Sequence, residues 1–274
     1  MSTMITPWSL MSKKLIIFPV TIVGPCHQFK TNTPDNIQCK VYPMMIKEDK
    51  ALDDFIDEQL VKGYIQPLVS PYASSFFFIK KKDGKLRLVQ DYHEINKWIV
   101  RNQYLFPLIP SLICDLGGAH VYTKLDIWWG YNNIRIKEGD EWKAAFKTCR
   151  GLYEPAVMFF GLTNSPATFQ AMMNHIFCNV IMKHRSKGTN IWDNMDDIAI
   201  ATKHPSLLDH VQAVCNVLQV AKDHSLFFKL SKCTFHTTSI DYLGVILEKG
   251  VTCMDPVKVE GIRNWPTPTC TRDV

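Results

Sequence analysis

Ile191-Trp192-Asp193-Asn194-Met195-Asp196-Asp197-Ile198-Ala199-Ile200-Ala201-Thr202 is a strand-like apolar run with two adjacent carboxylates at its centre. On an ordinary surface turn an Asp-Asp pair costs nothing. Here Ile198 and Ile200 carry the strand straight on into a core. Acids flanked by Met195 and Ile198 are expensive to bury without a counter-charge.

A further acid stands in a similar setting. Asp126 closes the strand-like run Val121-Tyr122-Thr123-Lys124-Leu125 and precedes Trp128-Trp129-Gly130-Tyr131. Three carboxylates on neighbouring strand ends would hold two Mg²⁺ ions about 3.5–4 Å apart. Such a pair suits phosphoryl transfer, lowering the pKa of an attacking hydroxyl at one ion and stabilising leaving pyrophosphate at the other.

Helices surround these runs. Leu52, Phe55, Ile56 and Leu60 fall at helical spacing between Glu48 and Lys62, and Gly63 ends the pattern. Asn164 to Phe177 reads as a helix capped by Ser165, with Pro166 in the first turn and an apolar stripe of Phe169, Met172, Met173 and Ile176. Leu207 to Ala221 reads as another helix, and Ile240 to Leu247 as a strand. Between Phe76-Phe77-Phe78-Ile79 and Lys85-Leu86-Arg87-Leu88-Val89, the Asp83-Gly84 step signals a hairpin. A two-residue turn there puts Lys80, Lys82, Lys85 and Arg87 on one cationic face. Strands and helices mix without regular alternation, so the class is α+β.

Composition sets the outer limits. With 274 residues, 46% hydrophobic and 21% charged, the chain can bury a real core. A formal charge of +5 permits a polyanionic partner without demanding one. The nine cysteines include no Cys-x-x-Cys pair, so they read as reduced thiols in an intracellular protein, not as a zinc or disulfide framework. No apolar run reaches the length of a membrane span. Leu15 to Val23 follows two lysines, but Pro19 interrupts it, and a strand or irregular leader is the reading in place of a signal peptide. Residues 1 to about 40 lack periodicity.

Five ordered blocks carry a resemblance. They are FFFIKKKDGKLRLVQDYHEIN (76–96), YTKLDIWWGYNNIRI (122–136), FFGLTNSPATFQ (159–170), Met195-Asp196-Asp197 and DYLG (241–244). Together the chain from about Val41 onward resembles the reverse transcriptase domain of gypsy-type LTR retrotransposon polyproteins. The resemblance implies a right-hand polymerase whose palm is a ferredoxin-like antiparallel sheet packed on helices. By analogy, a leader covers 1–40, fingers 41–101 and 134–164, palm 102–133 and 165–247, and the start of a truncated thumb 248–274.

The same resemblance implies roles. Asp126, Asp196 and Asp197 match the catalytic, metal-holding triad for two Mg²⁺ ions, with Mn²⁺ as substitute. Tyr131 matches the aromatic gate that excludes a ribose 2′-hydroxyl. Lys81 and Arg87 match the finger residues that clamp the triphosphate of the dNTP, by cation–phosphate pairing. A strict two-residue turn would put Lys81 opposite to Arg87; a bulge or longer loop restores it, and otherwise Lys80 takes the role. Phe160-Gly161 matches the floor of the nucleotide pocket, with Gly161 allowing close backbone approach. Tyr242-Leu243-Gly244 matches the primer grip, and Lys232 lies near a nucleotide-proximal lysine. The implied partners are an RNA or DNA template, its primer and dNTP, with no membrane.

Three positions depart from the pattern: Asn194 stands where Tyr is usual, His93 where Arg is usual, and Trp128 where a polar residue is common. Asn194 removes a ring that packs against the primer end, and Asp193 adds charge near the metals. Two expectations therefore stand together. One is an RNA-directed DNA polymerase fragment; the other is a weak or inactive remnant that at most binds nucleic acid. A nuclease or cyclase with the same carboxylates would leave the finger hairpin and Tyr131 without a role.

Overall fold

The computed structural model describes residues 28–265 and 270, apart from positions 36, 38, 40, 41, 44, 81–83, 85, 204, 205, 249 and 250. The reading of Leu15 to Val23 and the assignment of Lys81, with Lys82 and Lys85, lie outside these residues. The backbone divides at Asn102/Gln103, Gly130/Tyr131 and Thr168/Phe169 into two compact units.

The first unit, from the N-terminal side, holds helix α1 (Ile46–Val61), short strand β1 (Ile65–Pro67), hairpin β2 (Ser75–Lys80) and β3 (Leu86–Asp91), and helix α2 (His93–Trp98). It is completed by β5 (Phe146–Thr148) and β6 (Gly151–Pro155). Leu52 and Ile56, one turn apart on α1, are fully buried, which is why this segment is helical and where it packs. Gly63, at φ +68°, ends the helix as its position suggests. Strands β1, β6 and β5 form one antiparallel sheet.

The β2–β3 hairpin differs from its expected register. Ile79 pairs with Arg87 and Lys80 with Leu86, a register one residue off the one that a two-residue turn at Asp83-Gly84 would set. Side chains of directly paired residues share a face. Arg87 therefore sits beside Ile79, and Lys80 points to the opposite side. The two-residue turn and the Lys80–Arg87 common face are both corrected: turn length, not the Asp-Gly step alone, sets register.

The second unit is built on a four-stranded antiparallel sheet in the order β7-β8-β4-β9. Its strands are β4 (Val121–Asp126), β7 (Thr189–Asn194), β8 (Asp197–Thr202) and β9 (Thr234–Thr237), and its long helices are α4 (Ser165–Arg185) and α5 (Leu207–Asp223). Along the chain they run β4-α4-β7-β8-α5-β9, the ferredoxin-like order. Helix α3 (Ile109–Leu116), the meander β10 (Ser239–Tyr242), β11 (Val245–Glu248) and β12 (Val251–Met254), and helix α6 (Pro256–Arg263) complete the unit.

Period-two alternation divides the duties of the sheet's faces. Thr123, Ile198, Ile200 and Thr202 share one face, to which α5 is bonded: His210 meets Thr123 Oγ1 at 2.8 Å and Thr202 Oγ1 at 2.9 Å. Gln170 of α4 reaches Asp193 on the same face. Tyr122, Lys124, Asp126, Asp197, Ala199 and Ala201 share the other. There Tyr122, Ala199 and Ala201 pack with Leu112 and Leu116 of α3 and with Ile240, Tyr242 and Leu247. The small alanines let that layer close over the Val121 end, while the carboxylates stand at the opposite end.

Other elements extend or refine the expectations. Helix α4 runs eight residues past Phe177 and begins at Ser165 itself, whose hydroxyl donates to Phe159 O at 3.3 Å. Ile191 to Thr202 is a hairpin with Met195-Asp196 as its turn, and Ile240 to Leu247 is a hairpin turning at Leu243-Gly244, not one strand. Among the described residues no helix is long and apolar enough to cross a membrane.

Candidate active site

Asp126 and Asp197 are direct register partners across β4 and β8. Asp196 occupies the turn between β7 and β8, and its carbonyl accepts the Ile127 N–H at 2.7 Å. Carboxylates far apart in sequence are thus brought to one strand end. Like charges directly opposed across a ladder repel, and two lysines answer them. Lys232 Nζ donates to Asp126 Oδ2 at 2.8 Å, and Lys124 Nζ lies 3.5 Å from Asp197 Oδ1. Burial raises the Asp197 pKa, Lys124 lowers it, and Asp126 raises it again; the net direction is upward. The hydrogen bond to Asp126 raises that of Lys232.

Gly130 makes room for Asp196. A Cβ at position 130 would stand 2.0 Å from Asp196 Oδ1 and 2.9 Å from its Cγ. The turn is held from the helix side by a residue that the sequence reading quoted but did not single out. Gln170, fully buried, accepts the Met195 N–H on Oε1 at 2.9 Å. Its Nε2 donates to Asp193 Oδ2 at 2.9 Å and to Asn174 Oδ1 at 2.9 Å. Met195 is a non-glycine residue at φ +56°, a conformation that needs such support. A glutamine amid apolar helix positions was the available signal: a buried amide must find partners.

Among the described residues no three His, Cys, Asp or Glu side chains are gathered so as to share a metal ion as they stand. The donor set nevertheless fits a hard divalent cation, because all three side chains offer carboxylate oxygens. Asp197 Oδ1 is buried without a hydrogen bond, an acceptor that a cation would satisfy. A cation at this strand end competes with two ammonium groups.

The expected primer grip lies in the same unit. Leu243 and Gly244 form the β10–β11 turn at φ +53° and +79°. Tyr242 is fully buried beneath it, and its hydroxyl donates to Asp197 O at 3.4 Å. Asn194 pairs with Asp197 at the end of β7. Trp128, half-exposed, meets Trp129 edge-on at 5.8 Å.

Of the expected nucleotide residues, Arg87, Tyr131, Phe160 and Gly161 gather in the first unit. The Arg87 guanidinium stacks 3.9 Å from the Phe160 ring centroid, and Tyr131 meets the same ring edge-on at 4.8 Å. Gly161, at φ +102°, lies so close to Gln90 O that a Cβ would stand 3.0 Å away. Its carbonyl accepts from Asn96 Nδ2 at 2.7 Å. His93 is spent locally, its Nδ1 lying 2.5 Å from Asp91 Oδ1.

Residues 79–247 match the family described as reverse transcriptase (RNA-dependent DNA polymerase). The Tf2-3 and Tf2-4 transposon polyproteins of Schizosaccharomyces pombe are 35% identical over 229 residues, 83% of this chain. The chain spans only 16% of their length. Among solved structures, foamy viral protease-reverse transcriptase bound to RNA/DNA hybrid superposes with a TM-score of 0.76 at 19% identity, covering 90% of this chain and 32% of that one. The dRH form of foamy viral protease-reverse transcriptase, in complex with double-stranded DNA, gives 0.79 at 20% identity over 92% and 43% of the two chains. The α+β fold is therefore shared with foamy viral protease-reverse transcriptase, and the chain belongs to the reverse transcriptase family.

Proposed function

We propose that the chain is an RNA-directed DNA polymerase module that adds deoxynucleotides to a primer on an RNA or DNA template. The observation that carries this reading is the direct pairing of Asp126 with Asp197, next to the Asp196 turn. Family membership and the likeness to nucleic-acid complexes support it. The first unit corresponds to fingers (41–101, 134–164) and the second to palm (102–133, 165–247), whose proposed boundaries lie within four residues of the divisions at 102, 130 and 168.

In the reaction, a primer 3′-hydroxyl attacks the α-phosphate of a dNTP. A new phosphodiester bond forms, the α–β bond breaks, pyrophosphate leaves, and the hydroxyl proton passes to solvent. Asp126, Asp196 and Asp197 would hold two Mg²⁺ ions, or Mn²⁺, which supply Lewis-acid stabilisation of the phosphate oxygens when bound. Arg87 pairs with triphosphate oxygens, and Lys81 is assigned the same role from its place in the motif. Phe160 holds the plane of Arg87, Gly161 gives the backbone access, and Tyr131 excludes a ribose. Tyr242, Leu243 and Gly244 hold the primer end. The eight described cysteines, all free thiols, support work in a reducing compartment.

Asn194 favours a second reading, a remnant that binds nucleic acid and extends a primer poorly or not at all. Primer extension on poly(rA)–oligo(dT) with Mg²⁺ or Mn²⁺ separates the two. The polymerase reading expects weak, distributive extension that Asp196→Asn abolishes. Extension surviving that substitution would remove the site assignment, and extension only after Asn194→Tyr would favour the remnant.

A further inference from the structure

Lys124 is placed unusually for a strand lysine. Its side chain is only 22% exposed and lies on the carboxylate face of β4, between Tyr122 and Asp126. Its ammonium lies 3.5 Å from Asp197 Oδ1 and donates to the main-chain carbonyl of Asp241 in β10 at 3.1 Å. It also stands 5.9 Å from the Tyr242 ring centroid. Tyr242 in turn donates from its hydroxyl to Asp197 O. One cation therefore touches both the acid opposite Asp126 and the strand leading into the 243–244 turn.

We propose that Lys124 is a positioning residue that fixes the β10–β11 hairpin relative to Asp197, so that the primer end and the carboxylates are set by one side chain. The primer half of this statement rests on the polymerase reading; the mechanical half does not. Lys232 cannot substitute, because its partner is Asp126. The geometry explains why a cation is needed at position 124. A neutral side chain there would leave the Asp197 carboxylate facing Asp126 with only one nearby ammonium, and Asp241 O without its donor. A charged hydrogen bond at a half-buried strand end holds two elements in register more firmly than apolar contact does.

The test compares the full chain with Lys124→Met and Lys124→Arg. Methionine keeps the stem and removes charge and donors, while arginine retains both. Three measurements are made: amide hydrogen exchange of 239–248 in the free protein, anisotropy binding of a labelled primer–template, and single-turnover extension. The expected result for Lys124→Met is faster exchange in 239–248, weaker primer–template binding, and a rate about tenfold lower or more, with the dNTP concentration dependence within about twofold of wild type. Lys124→Arg should recover most of the rate. Unchanged exchange in 239–248 overturns the proposal, whatever the activity. Faster exchange with unchanged binding and rate also overturns it, since the contact is then structural only. If the wild-type chain does not extend a primer but Lys124→Met still loosens the hairpin, the polymerase reading falls and the tie stands.

Discussion

Gly130→Ala tests the carboxylate centre without touching a carboxylate. The added Cβ would stand 2.0 Å from Asp196 Oδ1 and 2.9 Å from its Cγ. Ordinary van der Waals separation requires the oxygen to retreat by at least about 1 Å. Phe169 Cζ, 3.3 Å from the new methyl, limits retreat of the methyl itself. The struck atom is the outer end of a short side chain, so the conflict is relieved mainly by moving the carboxylate. Stability should therefore fall by only about 1 kcal/mol, a shift in Tm of about 2–4 °C. Activity should respond differently, since misplacing a reacting group by about 1 Å costs about a hundredfold in rate. Primer extension with Mg²⁺, read beside a thermal melt of the same preparation, separates the two effects. Retention of extension within about threefold of wild type would refute the reasoning, because Asp196 could then act from elsewhere. A collapse of the melt would refute it from the other side.

Gln170→Leu leaves the Met195 N–H and the Asp193 carboxyl without their helix partner, and should cost about 2 kcal/mol with loss of extension, measured by urea melts and single-turnover assay. Burial pushes Asp193 up to about 6, above its ordinary 3.8, so its contribution to stability is present below about pH 4 and is lost as pH rises through about 6. Asp193→Asn should raise the Tm at pH 7.5 by several degrees while leaving it little changed at pH 4. Burial, with His236 nearby, pushes His210 down to about 4 from 6.5, so its contribution is present above about pH 6.5 and is lost as pH falls through about 4. The two effects oppose each other, so Asp193→Asn should also unmask a steeper loss of stability on acidification between pH 6.5 and 4. Phe160→Leu removes the stacking surface for Arg87 and should raise KM for dNTP about fivefold at nearly constant kcat.

The residues of the proposed site stand out in one dimension. Asp126 and the Asp196-Asp197 pair could be picked out because acids embedded in β-prone apolar runs are costly unless used. The limits of β4 and the stripe of α4 followed from alternation and helical spacing, which are properties of local geometry. The β2–β3 register was misread because Asp83-Gly84 is a local turn signal, whereas pairing is settled by both strands and the whole loop. Residue type suggests a capping role for Ser165 but says nothing of Phe159 O, which its hydroxyl meets only once the chain has folded back. Gln170 was passed over because an amide in a helix declares its role only through distant partners.

By itself, then, the sequence determined which residues are acidic, apolar or turn-forming, and in what order, enough to establish the class and the family resemblance. Only the tertiary structure decided that residue 126 faces residue 197, that Lys124 and Lys232 answer their charges, and that Gly130 leaves space for Asp196. The reason is physical. Composition and periodicity are properties of neighbouring residues, whereas Coulomb attraction, close approach and hydrogen bonding act through space, between groups that more than a hundred residues of chain can separate, as with Lys124 and Asp241.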